Sequence, residues 1–163
     1  MVGNPGSHGK QTLWPLALLL LFYAGVGRCS AQNTENIDDI TGRYHFLSAD
    51  DALGLLEEDG KLKGYIEVLQ GEEESDAVLS YDIVLGSHKK DHVEFKTNTI
   101  HRKYYRFSGR AERGSGHEPD DPDYLRLVGD LETVTIKGAG GQEAVQRTQL
   151  ILKSFGKSED NKE

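Results

Sequence analysis

Hydrophobic and polar residues alternate along most of the chain from residue 40 onward, and a period of two is typical of β-strands with one buried face. In the first such segment, Ile40–Phe46, the apolar residues Ile40, Tyr44 and Phe46 lie on one face. Apolar or alternating segments predict further strands at Leu53–Leu56, Lys61–Leu69, Ala77–Leu85, Val93–Thr97, Tyr105–Gly109, Tyr124–Ile136 and Glu143–Phe155. The pattern therefore predicts about eight strands in sequential order.

Short turn sequences between these segments indicate how the strands connect. Asp59-Gly60 is a strong signal for a two-residue hairpin, because both residues accept positive φ. The segment Ser48–Glu58 also carries a helical signal in its early acids, but Gly54 and the Asp-Gly turn favour a strand. Hairpins favour a meander, and closing the meander removes exposed strand edges. The fold class that we predict is all-β: a single antiparallel up-and-down β-barrel of about eight strands.

The first 31 residues have the order of a secretory signal peptide. An uncharged apolar run, Leu13–Val26, is followed by small residues at Cys29 and Ala31. The run is short for a transmembrane helix, which needs roughly 20 apolar residues, although an uncleaved anchor stays open as an alternative. We expect cleavage after Ala31, which makes Gln32 the first mature residue. A lipid anchor at Cys29 is a further alternative, but Arg28 stands where the bacterial lipid-attachment motif has Gly, Ala or Ser.

The expected organisation is a signal peptide over residues 1–31, a linker over 32–39, a barrel domain over 40–156 and a disordered charged tail over 157–163. The chain has 19 Lys and Arg against 27 Asp and Glu, a formal net charge of −8. Nucleic-acid binders need a basic face, so this charge argues against a nucleic-acid partner. The single Cys excludes an intrachain disulfide. Export implies a secreted or periplasmic location, with membrane contact only through the signal segment or a lipid anchor.

The start of the barrel segment resembles that of the calycins, the group of lipocalins and avidins. Those barrels begin with Gly-x-Trp, where this chain has Gly42-Arg43-Tyr44, and Asp59-Gly60-Lys61-Leu62-Lys63-Gly64-Tyr65 is similar to the second hairpin of avidins. The resemblance implies a barrel with a ligand at its mouth, and a basic residue of the last strand, Arg147 or Lys153, against Tyr44. No Trp follows the signal segment, so biotin binding is not implied. The overall pattern also resembles small secreted bacterial proteins.

Two groups of side chains have metal-ligand chemistry. His88 and His92 flank a turn that contains Asp91, and two His with one Asp form a possible zinc ligand set. The acidic segments Glu72–Asp76 and Glu118–Asp123 offer oxygen ligands for calcium, but neither has EF-hand spacing. A polar turn and two solvated loops explain the same residues. We therefore predict no cofactor and keep His88, Asp91 and His92 as the metal hypothesis.

The basic and aromatic segment His101–Phe107 holds the main candidate for binding. Arg102, Tyr104 and Arg106 share one face of this predicted strand. Tyr and Arg are enriched at binding surfaces, so the three residues form a candidate ligand or partner patch. Tyr44, the opening aromatic residue of the barrel, is the fourth candidate. The same pattern also fits a barrel strand whose outer charges balance the acidic loops.

These observations favour a secreted or periplasmic, non-catalytic binding protein whose partner is an unknown small molecule or a protein. Two alternatives stay open: a structural or interaction barrel with a filled core, and a small hydrolase or isomerase at the barrel mouth. The sequence contains no Gly-x-Ser-x-Gly elbow and no phosphate-binding Gly loop, which argues against catalysis. An open interior would support ligand binding, and a filled interior would support a structural role.

Overall fold

The computed structural model describes residues 37–70, 77–138 and 140–156, and within them the chain forms eight β-strands and no helix. The strands are β1 (Gly42–His45), β2 (Ala52–Glu58), β3 (Lys61–Gln70), β4 (Ala77–Lys89), β5 (His92–Thr97), β6 (Lys103–Arg113), β7 (Leu125–Lys137) and β8 (Gln142–Lys153). They form one antiparallel sheet in sequence order, so each strand pairs with its neighbour along the chain. The predicted all-β, up-and-down fold is confirmed.

The predictions for the N-terminal segment are not tested by the described residues, which begin at Ile37. The signal peptide, the cleavage site between Ala31 and Gln32, and the alternative lipid anchor at Cys29 all lie outside the described residues. Within the described ranges, no helix has the length and apolar character that crossing a bilayer requires. Ile37, which the sequence places in the linker, is 4% exposed and packs in the core.

The segment Ser48–Glu58, which carries both helical and strand signals, forms strand β2 from Ala52 onward. It pairs with β1 on one side and with β3 on the other, so its backbone donors and acceptors are satisfied by neighbours. Leu53 and Leu55 point into the core. The turn that follows has φ of 53° at Asp59 and 72° at Gly60, as the hairpin signal predicts.

The sheet curls so that its first and last strands meet at one place. Tyr44 of β1 forms a bridge with Ser154, directly after β8, and the amide of Phe155 donates to the carbonyl of Arg43 at 2.8 Å. Strand β1 has four residues and β8 has twelve. The closure is therefore limited to the end of β8, and the sheet is a curled half-barrel.

Successive strands alternate in direction, so their connections fall at two ends of the sheet. One end, which we call the Asp59 end, holds the β2–β3, β4–β5 and β6–β7 connections. The other, which we call the Asn98 end, holds the β1–β2, β3–β4, β5–β6 and β7–β8 connections.

Aromatic side chains fill the interior of the curled sheet. The largest fully buried side chains begin with Tyr44, Tyr81, Tyr105 and Phe107. The ring of Tyr105 makes edge contacts with Phe46 at 5.3 Å and with Tyr81 at 5.0 Å between centroids. Edge-to-face pairs at this separation are favourable beyond their buried area. The core thus joins β1, β4 and β6 through ring contacts as well as through the sheet itself.

Replacing Gly64 by alanine should destabilise the fold, because its backbone has φ of +143° and a Cβ there would overlap the carbonyl oxygen of Gly54 on β2. We expect a loss of about 3 kcal/mol in the free energy of unfolding from strain and overpacking. Urea denaturation measures this loss. The matched control is Gly140→Ala, since no described atom lies within 4 Å of its Cβ position. Equal stability of the two variants would contradict the close approach of β2 to Gly64.

Candidate functional site

The structure places the three residues of the predicted patch in different environments. Arg106 lies on the outer face of β6, and Arg102 lies exposed in the turn before it. Tyr104 shares the outer face but is only 3% exposed. The Lys96 ammonium covers its ring at 4.6 Å, and its hydroxyl donates to Glu143 Oε1 at 2.7 Å. Long polar side chains therefore bury Tyr104 on the outer surface.

A row of charged side chains crosses the outer face at the level of Arg106. Lys96, Arg106, Glu132 and Arg147 are successive cross-strand neighbours on β5 to β8, and we call them the charge row. Arg106 Nη2 lies 2.8 Å from Glu132 Oε2, and Arg147 binds the other oxygen of the same carboxylate. The hydrogen bond from Arg147, with Arg106 nearby, lowers the pKa of Glu132. One carboxylate is thus shared by two guanidinium groups.

A groove of about 890 Å³ lies over the outer face of β4 to β8, and the charge row forms part of its wall. The next row of cross-strand neighbours, Ser87, Glu94, Ser108 and Asp130, lines it as well. Counted over the described residues, its wall carries four cations and three carboxylates, with Lys89 as the fourth cation. The groove is therefore polar, and its local charge is slightly positive in a chain of formal net charge −8.

The three residues of the metal hypothesis do not converge. His88 points inward, with its side chain 3% exposed, whereas His92 points outward with its side chain 53% exposed. Asp91 is exposed in the turn between them. Among the residues that the structure describes, no three His, Cys, Asp or Glu side chains are grouped to hold a metal ion. The alternation of β4 and β5 across their turn separates the two histidines.

His88 instead pairs with a residue that the sequence analysis did not single out. Its Nδ1 lies 2.8 Å from Glu57 Oε2, which also accepts the amide of Ile40 at 3.0 Å. Both side chains are buried inside the Asp59 end of the sheet. His88 Nε2 is buried without a hydrogen-bond partner among the described residues. Glu57 and His88 are 31 residues apart, so no local pattern indicates the pair.

The acidic loop before β7 uses its carboxylates within the loop itself. Asp121 accepts the amides of Glu118 and His117, and these hydrogen bonds lower its pKa. Asp123 accepts Arg126 Nε at 2.6 Å and Ser115 Oγ at 2.6 Å, and the Arg126 bond holds its pKa well below the usual range. These contacts shape the loop rather than an ion cage. The other calcium hypothesis, Glu72–Asp76, lies outside the described residues.

Tyr44, the fourth candidate, is a core residue. Its side chain is fully buried, and its hydroxyl donates to the carbonyl of Ile40 at 2.7 Å. Burial, with the carboxylates of Asp39 and Glu57 nearby, raises its pKa. Of the two basic residues that the calycin resemblance offers as a neighbour of Tyr44, Arg147 binds Glu132 on the outer face, and Lys153 directly precedes Ser154, which bridges to Tyr44.

Tyr105 presents a polar group inside the Asn98 end of the sheet. Its side chain is fully buried, and its hydroxyl has no hydrogen-bond partner among the described residues. Burial, together with the carboxylate of Asp51, raises the pKa of Tyr105 to about 12. The Asp51 oxygens accept the amides of Leu69 and Ser48, so they hold the backbone at this end. The hydroxyl is a donor aimed into the interior.

Solved structures share this fold. The crystal structure of rhizavidin aligns with a TM-score of 0.52 over 74% of this chain and 90% of that chain, at 14% identity. A crystal structure of the rhizavidin–biotin complex aligns with a TM-score of 0.51 over 70% of this chain and 98% of that chain, at 12% identity. No protein-family model and no curated protein matches the chain. The likeness defines the class of fold, an avidin-like barrel of the calycin type, and confirms the predicted resemblance.

Two tyrosine substitutions distinguish the buried hydroxyls. Tyr44→Phe should reduce the free energy of unfolding by about 1 kcal/mol, because the carbonyl of Ile40 loses its donor. Tyr105→Phe should leave stability unchanged or raise it by about 1 kcal/mol, since it removes a buried hydroxyl without a described partner. Thermal and urea unfolding measure both. If Tyr105→Phe reduces the free energy of unfolding as much as Tyr44→Phe does, a bound molecule or water accepts a hydrogen bond from the Tyr105 hydroxyl.

Proposed function

We propose that the protein is an exported, non-catalytic binding protein, and that its ligand site is the groove on the outer face of β4 to β8. The observation that carries this proposal is the groove itself, about 890 Å³ in volume and lined by the charge row. Ligand sites of small molecules have volumes of roughly 300 to 1,000 Å³. Aromatic side chains fill the interior of the sheet, which supports the outer groove rather than the interior as the ligand site.

The ligand that fits the groove is a small polar molecule with an anionic group. Arg106 and Arg147 share the single carboxylate of Glu132, and their side chains are 40% and 65% exposed. Guanidinium groups offer five N–H donors each, so an added carboxylate or phosphate finds donors there. The Lys96 ammonium, held over Tyr104, contributes a third positive charge. Asp130 and Glu94 favour a ligand that also carries donors.

A second candidate site is the interior at the Asn98 end, and the Tyr105 hydroxyl favours it. A small molecule there would accept a hydrogen bond from this hydroxyl and would lie beside the Tyr81 ring, which contacts Tyr105. The filled core equally favours the structural or interaction barrel. The hydrolase or isomerase alternative receives less support, since the carboxylate of Glu132 is engaged in ion pairs.

The groove proposal is tested by comparing two arginines on the outer face of β6. Arg106 lines the groove, whereas Arg110 lies four residues further along and pairs with Glu112 at 3.2 Å. Native mass spectrometry of the protein purified from its own host should show a retained small molecule. The molecule should be lost in Arg106→Gln and kept in Arg110→Gln.

For protein that has lost its ligand, citrate serves as the probe, as a small molecule with several carboxylates. Citrate should raise the Tm of the wild type and of Arg110→Gln, and should leave Arg106→Gln unchanged. A wild type that carries no molecule and gains no stability with citrate contradicts the proposal. Retention that fails in Tyr105→Phe but persists in Arg106→Gln would move the site to the interior.

Export is tested by the mass of the secreted protein. Cleavage after Ala31 should give a mature chain that begins at Gln32 and lacks the single Cys, Met and Trp of the sequence. Its formal net charge is −10, because Lys10 and Arg28 are removed and the acids stay. Intact mass spectrometry and N-terminal sequencing measure the outcome, with Ala31→Arg as the uncleavable control. A full-length mass, or a lipid-modified N-terminus at Cys29, would contradict this cleavage site.

A further inference from the structure

One edge of the sheet remains unpaired over most of its length. Within residues 37–70, 77–138 and 140–156, β8 pairs with β7 from Gln142 to Lys153, and β1 reaches only the bridge between Tyr44 and Ser154. The pairing of β7 with β8 runs without a register shift, and β8 contains no proline. β-Bulges and prolines are two features that prevent a further strand from pairing with a sheet edge. A long edge strand that has neither can pair with another strand.

The hydrogen bonds at the end of β8 show which residues face the open edge. The amide of Ser154 donates to the carbonyl of Leu125 in β7, whereas the amide of Phe155 donates to the carbonyl of Arg43 in β1, on the other side. The backbone N–H and C=O groups of successive residues in a strand point to opposite sides. The odd-numbered residues of β8 therefore point their backbone donors and acceptors away from β7. The edge-facing residues are Glu143, Val145, Arg147, Gln149, Ile151 and Lys153, of which Lys153 adjoins the bridge to β1 at Ser154.

These residues also share the outer face of the sheet and are accessible. Val145 is 48% exposed and Ile151 is 53% exposed. The Arg147 side chain is 65% exposed although it binds Glu132. Glu143 accepts the Tyr104 hydroxyl on the same face. The edge therefore presents an acid, a β-branched residue and a base at alternate positions.

We propose that a second copy of this chain pairs with the β8 edge, antiparallel and about a two-fold axis at Val145. In this register Val145 lies opposite the partner subunit's Val145, and Glu143 lies opposite the partner subunit's Arg147. The two-fold axis also places Arg147 opposite the partner subunit's Glu143, so the charged pair occurs twice, as a self-complementary interface requires. Opposite charges and β-branched residues in direct cross-strand pairs are stabilising. The two copies would form one continuous sheet.

Two neighbouring two-fold registers of the same edge, with axes at Arg147 and at Gln149, lack this charge complementarity. An axis at Arg147 sets two guanidinium groups opposite each other, and an axis at Gln149 sets Arg147 opposite Ile151. Like charges directly opposite each other are destabilising. The axis at Val145 also gives each Arg147 a second carboxylate, whereas within one copy it shares Glu132 with Arg106. The charges of β8 thus favour one register over its neighbours.

The first experiment removes one edge-facing donor without disturbing the pairing of β7 with β8. In Val145→Pro the lost N–H faces the open edge, a position where proline is tolerated. Sedimentation over a dilution series should show a dimer for the wild type and for the control Val145→Thr, and a monomer for Val145→Pro. Equal circular dichroism spectra confirm that the variants fold alike. A monomeric wild type, or a dimeric Val145→Pro, overturns the proposal.

The second experiment tests the register and does not depend on the proline variant. In a Cys29→Ser background, Val145→Cys should form a disulfide-linked dimer under mild oxidation, because Cα atoms of a hydrogen-bonded pair lie about 5.5 Å apart. Gln149→Cys is the matched control on the same edge and face, and its two copies would lie about 27 Å apart. Crosslinking at Gln149 and not at Val145 overturns the register.

Charge exchange gives a third and independent readout. Glu143→Arg should reduce the dimer fraction several-fold, and the double variant Glu143→Arg with Arg147→Glu should restore it. Failure of the double variant to recover, with the single variant dissociated, contradicts the cross-subunit pair. The proposal does not rest on the groove as a ligand site: loss of citrate binding in Arg106→Gln leaves the dimer intact.

Discussion

The ring of Tyr105 stands at the centre of the packing on which the curled sheet depends. It contacts Phe46, just after β1, and Tyr81 on β4, so distant parts of the sheet are held by one aromatic group on β6. Fully buried Leu53, Ile66 and Leu131 belong to the same core cluster as this ring. Aromatic rings bury large areas in fixed relative geometry, and this fixes how tightly the sheet curls. The rings occupy much of the interior, whereas the groove lies on the outer face of β4 to β8.

The unequal lengths of the first and last strands have the next largest effect. A four-residue β1 cannot cover a twelve-residue β8, and among the described residues the two ends meet at the Tyr44–Ser154 bridge and at the hydrogen bond from Phe155 to Arg43. Within that part of the chain, the remainder of β8 pairs with β7 alone. The fold is that of an avidin-like barrel, with TM-scores just above 0.5 to rhizavidin. The proposed dimer follows from this open edge, and the proposed ligand groove follows from the outer face next to it.

Electrostatics on the outer face are organised around Glu132. Two guanidinium groups bind this carboxylate, and Lys96 lies one strand further away over Tyr104. The row is positively charged in a chain whose formal net charge is −8. Some acidic side chains elsewhere hold local structure, as in the Asp123 contacts with Arg126 and Ser115. This local excess of cations is the basis for the anionic ligand that we propose for the groove.

The sequence by itself determined the strands, because a period of two is a local property that one buried face imposes on each segment. It also indicated the Asp59-Gly60 hairpin, because both turn residues accept positive φ. Of the predicted patch of Arg102, Tyr104 and Arg106, only Arg106 is among the residues that line the groove, and Tyr104 is buried on the outer face. Only the tertiary structure decided their partners, since Tyr104 meets Glu143 across 39 residues and His88 meets Glu57 across 31. It also decided that, among the described residues, most of β8 has a strand partner on one side and none on the other. Pairing between distant segments depends on how the whole sheet curls, which no local pattern records.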